Sequence, residues 1–274
     1  MRRAIFLDTE TTGLDPSKAQ VVEIAFKVVD MGSGACLGSF QSVVALSKEE
    51  WDCADRVALH INGFTWKDVQ TRGRPRSDIA VNICSLFSQL KLSPQSAFFL
   101  CQNPSFDKAF FSQICPLSVQ KSCRFPYYWL DFASMNWALI SKEIVGGKRL
   151  PFRIPFSKDR IALSSGLPPE KKPHKAMNGV DHLLLLFSNI IGFRDLHQSG
   201  RTRGQTTEPI REKLAAEMLV AIGTSIGTSI GTSIGTSIGQ STRKRTLKNS
   251  PLSVVKSGPR RSSRNRSPTL FYKP

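Results

Sequence analysis

Four apolar residues, Ala4-Ile5-Phe6-Leu7, run without a break into Asp8-Thr9-Glu10, and Thr12-Gly13 then stops the run. A short continuous apolar run reads as a buried strand, and Thr12-Gly13-Leu14-Asp15-Pro16 as the loop that ends it. Side chains alternate along a strand, so Asp8 and Glu10 project to the same side at its carboxyl end. Two carboxylates held side by side repel each other, and a cation is the usual remedy. Oxygen ligands at a site that must also hold phosphate suit magnesium or manganese. A bare Asp-x-Glu has a second reading, a solvated acidic turn after a core strand.

The rest of the chain discriminates between the two. At 274 residues and 40% hydrophobic content it can hold one domain of ordinary size plus extra, or two small ones. A net charge of +17 and a pI near 10.0 predict an anionic partner, nucleic acid being the commonest. From Ser241 onward there are ten basic residues and no acidic one, which leaves +7 for everything before it. Met1-Arg2-Arg3 leads directly into the first strand, an apolar run too short for a signal peptide, and no stretch approaches a membrane span. Six scattered cysteines with no Cys-x-x-Cys pair argue against zinc and for reduced thiols that fill a core, so the expected location is cytoplasmic.

Taken in order, Gln20–Val29 and Cys36–Leu46 read as strands that complete an antiparallel meander with the first. Glu23 either lines the site from the neighbouring strand or is exposed at an edge. Ala58–Asp68 is a loop and helix; Ser77–Leu90 has a helical stripe with Ser77 as N-cap. Ala97–Cys101 is a second buried strand, Asn103-Pro104 a turn, and Asp107 falls in the first turn of the helix that follows. Tyr128–Phe132 ends a further strand, Ser134–Ile140 is a helix, and Lys142–Pro155 is loop-like. Arg149, Arg153, Lys158 and Arg160 read as solvated surface charge.

His174-Lys-Ala-Met-Asn-Gly-Val-Asp181 opens the last apolar helix. Were His174 and Asp181 on one helix, seven residues would separate them by roughly 10.5 Å along the axis, too far to converge. With Asn178 as N-cap, His174 lies in the preceding loop and Asp181 in the first turn. Asp181 there would also favour the helix dipole.

Phe6-Leu-Asp-Thr-Glu-Thr-Thr-Gly13, Asn103-x-x-Phe-Asp107 and His174-x-Ala176 together resemble the motifs of the DEDD-type 3′–5′ exonucleases, histidine branch. That family includes the epsilon subunit of bacterial DNA polymerase III, ribonuclease T and oligoribonuclease. The third motif departs from the pattern, because Gly179 stands where the family has Asp, and Asp181 is two residues late. The resemblance implies an α/β, ribonuclease H-like exonuclease fold, a mixed five-stranded sheet flanked by helices. It implies a metal-dependent exonuclease acting on single-stranded DNA or RNA and releasing nucleoside 5′-monophosphates. Asp8, Glu10, Asp107 and Asp181 would ligate two Mg2+ or Mn2+ ions, and His174 would take the proton from the attacking water. Thr11, His60, Phe64 and Phe106 would contact the terminal nucleotide. For His60 and Phe64, packing of their own loop is the equal alternative.

The exonuclease domain is expected over 1–197. Residues 198–240 read as a linker carrying an Ile-Gly-Thr-Ser repeat, whose glycine at every fourth position opposes helix and strand alike. Residues 241–274 read as a disordered basic tail able to add salt-sensitive affinity for nucleic acid. Two other readings stay open. Gly179 favours a catalytically weakened nucleic-acid-binding module. A proofreading subunit would need a DNA polymerase as partner, docked through the tail.

Overall fold

The computed structural model describes residues 3–147 and 154–193. The linker and tail, with Arg149, Arg153 and His197, lie outside the described residues.

Strand β1 (Arg3–Thr11) is the centre of the sheet. Ala4, Ile5, Phe6 and Leu7 are all fully buried, which explains why the run is continuously apolar rather than alternating: both faces of the strand are covered. Strands β2 (Val21–Asp30) and β3 (Cys36–Val43) follow as the antiparallel meander. Strands β4 (Ala97–Cys101) and β5 (Trp129–Asp131) lie on the other side of β1, parallel to it. The order is β3-β2-β1-β4-β5, the expected mixed sheet of five strands.

Alternation along β1 divides the core in two. Ile5 and Leu7 join Ile79, Ile83, Phe87, Phe110 and Phe111 on one face; Ala4 and Phe6 join Ile161, Val180, Leu183 and Phe187 on the other. The first face is covered by helices α4 (Arg76–Gln89) and α5 (Pro104–Ile114). Between β3 and α4 run three short helices, α1 (Lys48–Asp52), α2 (Arg56–Asn62) and α3 (Trp66–Arg72). Helix α6 (Leu117–Ser122) and helix α7 (Phe132–Val145) flank β5. Helices α8 (Lys158–Ser164) and α9 (Ala176–Ile190) close the second face.

Several expected boundaries move. Helix α4 begins at Arg76 behind Pro75, without a side-chain cap, so Ser77 lies inside it. Helix α7 continues to Val145, into the segment read as loop. Helix α9 starts at Ala176, two residues before the expected cap Asn178. Its first turn is held from outside: Glu23 on β2 accepts the Ala176 N–H with Oε2 and the Gln41 side chain with Oε1, both at 2.8 Å. Glu23 is therefore neither an exposed edge residue nor a ligand, but the buried cap of another element's helix. Of the cysteines, only Cys101 and Cys115 are buried, and Cys36, Cys53 and Cys123 are exposed. No helix among the described residues is long and apolar enough to cross a membrane.

Candidate active site

The carboxyl ends of β1 and β4 gather the acidic residues. Asp8 is buried and Glu10 half-buried on the face that α8 and α9 cover. Thr9, between them, points to the opposite face, where its N–H and hydroxyl donate to Asp107 Oδ1 at 3.1 and 2.8 Å. Asp107 lies in the first turn of α5, and Asn103 at the N-cap has a left-handed φ of 57°. Asp131 braces this turn, accepting the Asn103 N–H at 3.0 Å while capping α7.

His174 arrives from the loop before α9. Its N–H donates to Ile61 O at 3.1 Å, and Lys175 Nζ donates to Asn62 O at 2.8 Å. Asn62 in turn donates to Thr11 O at the end of β1. The loop that carries His174 is thus stapled to the α2–α3 turn and, through it, to the acidic strand end.

Two further residues occupy the middle of the site: Lys158, which is buried and not the solvated surface charge the sequence suggested, and Glu170, to which sequence reasoning assigned no role. Ser157 caps α8, and Lys158, its first residue, is buried with Nζ 3.2 Å from Asp8 Oδ1 and 2.8 Å from Glu170 Oε2. Glu170 is held by its N–H on Asp159 Oδ1 at 2.9 Å, and its other oxygen faces His174 Nδ1 at 3.4 Å. Burial pushes the Glu170 carboxyl up, but His174 and Lys158 outweigh it and hold the group down at about 2. The Glu170 carboxylate beside Nδ1 raises His174 above its ordinary 6.5, against the opposing effect of burial. Burial disfavours the Lys158 charge, yet Asp8 and Glu170 hold its pKa well above the usual lysine range. His182, buried beside Glu170 with Nε2 donating to Pro168 O at 2.9 Å, is kept below the usual histidine range mainly by burial.

The sequence carried faint marks of both. A lysine in a helix's first turn opposes the dipole and needs an acidic partner, and Lys158 directly follows the capping Ser157. Glu170 is the only acid between Asp159 and Asp181.

The expected site residues divide accordingly. Glu10 and His174 come together with Glu170, one ligand atom from each lying within 4.8 Å of the others. Asp8 joins through Lys158, and Asp107 through Thr9. Asp181 does not join. Helix α9 turns its Ala176–Gly179–Val180–Leu183 stripe inward, and Asp181, two residues and roughly 200° beyond Gly179, is exposed and paired with Lys27 at 2.5 Å. Starting three residues early, the helix carries Asp181 past the site. Of the expected nucleotide contacts, Phe64 is 3% exposed within the first core, with Lys175 Nζ 3.5 Å from its ring centre. A ring so buried has no free face for a base, so Phe64 packs its loop. Thr11 is buried with its hydroxyl on Gly13 O, Phe106 packs on Phe110, and His60 is exposed in the last turn of α2.

The architecture matches solved nucleases. E. coli exonuclease I in complex with a dT13 oligonucleotide aligns with a TM-score of 0.56 at 18% identity over 69% of this chain. The zinc-bound form of the E. coli exonuclease I–ssDNA complex aligns at 0.55 with 17% identity over 74% of it, and a product-bound exonuclease I at 0.55 with 17% over 71%. The chain carries the ribonuclease H-like exonuclease fold. These alignments span 42–44% of the exonuclease I chains. No protein-family model and no curated relative matches the chain.

The donors present were set against the two ions that the motif resemblance implies. Around Asp8 they do not fit a pair of ions, because Gly179 offers no carboxylate and Asp181 is outside, and Lys158 already supplies positive charge there. Glu10, Glu170 and His174 do fit one divalent cation, being two oxygen donors and one nitrogen donor within mutual reach.

Proposed function

We propose that the chain is a 3′–5′ exonuclease acting on single-stranded DNA or RNA and releasing nucleoside 5′-monophosphates. The observation that carries this reading is the convergence of Glu10, Glu170 and His174 beside Asp8, at the carboxyl end of the central strand of an exonuclease fold. The exonuclease I complexes with oligonucleotides support the choice of substrate. One Mg2+ or Mn2+ held by Glu10 and Glu170 beside His174 would supply positive charge against the scissile phosphate.

The chain's own residues divide the remaining work. Glu170 holds His174 Nδ1, which leaves Nε2 to take a proton from an attacking water. Lys158 neutralises Asp8, so that an incoming phosphate meets less negative charge than the acids alone would present. Asp107 fixes the backbone between Asp8 and Glu10 through Thr9.

A second reading, binding without cleavage, is favoured by the Asp8–Lys158 pair and by Gly179. Degradation of 5′-labelled single-stranded DNA and RNA with magnesium, manganese or EDTA separates the two. A metal-dependent ladder shrinking from the 3′ end is the expected outcome. Intact oligonucleotides that nevertheless bind would transfer the conclusion to the second reading.

A further inference from the structure

The centre of the candidate site holds a positive charge that is part of the chain. Asp8 and Glu170 are both buried, and buried carboxylates this close need a counter-charge. Lys158, itself 6% exposed, supplies it to both. Gly179 is what makes room. A Cβ built there would lie 2.2 Å from Asp8 Oδ2 and 2.9 Å from Lys158 Nζ, so a side chain at 179 would force the Asp8–Lys158 pair to shift. One ammonium thus faces two buried carboxylates, and the contact with Asp8 is made without a metal ion.

We propose that Lys158 is the resident cation of the Asp8 position: its ammonium, held by Asp8 and Glu170 in the space that glycine leaves at 179, takes the place of a divalent ion there. The site therefore binds one divalent ion at most, through Glu10 and Glu170 beside His174, and Asp8 is not among its ligands. This deepens the exonuclease reading, but the ions are counted without substrate, so each can fail while the other holds.

The test is a titration of the full chain with manganese, the bound ions being counted by the loss of the free-ion electron paramagnetic resonance signal. Wild type is expected to bind no more than one ion in the site, and Asp8→Asn to leave that number unchanged. Lys158→Ala, which strips the counter-charge from Asp8 and Glu170, is expected to bind one ion more. Adding Asp8→Asn to Lys158→Ala should remove that extra ion. A wild-type ion lost on Asp8→Asn, or a folded Lys158→Ala that binds no extra manganese, overturns the proposal. Amine acylation read by mass spectrometry tests the unaltered chain, should the variants not fold. Lys158 should resist modification equally with and without manganese, and labelling that rises with manganese would show an ion displacing the ammonium and overturn the assignment.

Discussion

Gly179→Ala is the substitution on which the geometry makes its sharpest demand. In an ordinary helix interior, alanine for glycine is worth about 1 kcal/mol of added stability. Here the new methyl carbon would lie 2.2 Å from Asp8 Oδ2, where ordinary contact begins at 3.4 Å, so the carboxylate must retreat by about 1.2 Å. That retreat is expected to lengthen the 3.2 Å contact between its other oxygen and Lys158 Nζ. Lys158 retains Glu170, but Asp8 is left buried with its charge poorly matched, at a cost of about 3 kcal/mol. The net expectation is a loss of about 2 kcal/mol, seen as a lower urea midpoint and a Tm reduced by roughly 4–8 °C. In an Asp8→Ala background the obstructing atom is gone, and the same change should become neutral or stabilising, giving a coupling of about 3 kcal/mol. A Gly179→Ala variant more stable than wild type, or a coupling near zero, would refute the claim that Asp8 is pressed against the helix.

Three further outcomes are expected. Glu170, held at about 2 in the folded chain against an ordinary 4.5, contributes stability that is present above pH 4.5 and lost as pH falls toward 2. The urea midpoint, measured in EDTA, should drop across that window, and Glu170→Gln should flatten the drop. Asp181→Asn should leave oligonucleotide degradation within about twofold of wild type, whereas Glu10→Gln should lower it by about 100-fold or more with binding retained. Equal losses in the two variants would return Asp181 to the site. Glu23→Ala deprives the Ala176 N–H and the Gln41 amide of their acceptor. It should cost about 2–4 kcal/mol and speed hydrogen exchange at the Ala176 amide; unchanged exchange there would mean that Glu23 does not cap α9.

What could be read from the chain alone was whatever depends on near neighbours. The unbroken run Ala4–Leu7, the turn at Gly13 and the β-branched Gln20–Val29 segment are local patterns, and they led to the first strand and the meander, while the five-stranded sheet was what the motif resemblance implied. Asp8, Glu10 and Asp107 were legible because each stands at a fixed step from a strand end or a helix start. Helix phase was legible only in part. The start of α9 is held by Glu23, more than 150 residues away, and a three-residue error there turns Asp181 from the site to the surface. The Lys158–Asp8–Glu170 pairing was beyond local pattern altogether. A lysine's solvation and an acid's partner depend on which segments the fold brings together, and residues 8, 158 and 170 meet only once β1, α8 and the loop before α9 are packed. The sequence by itself determined the first strand, the meander and the acidic strand end. Only the tertiary structure decided which charge neutralises that end, because burial makes the choice of counter-ion a matter of space.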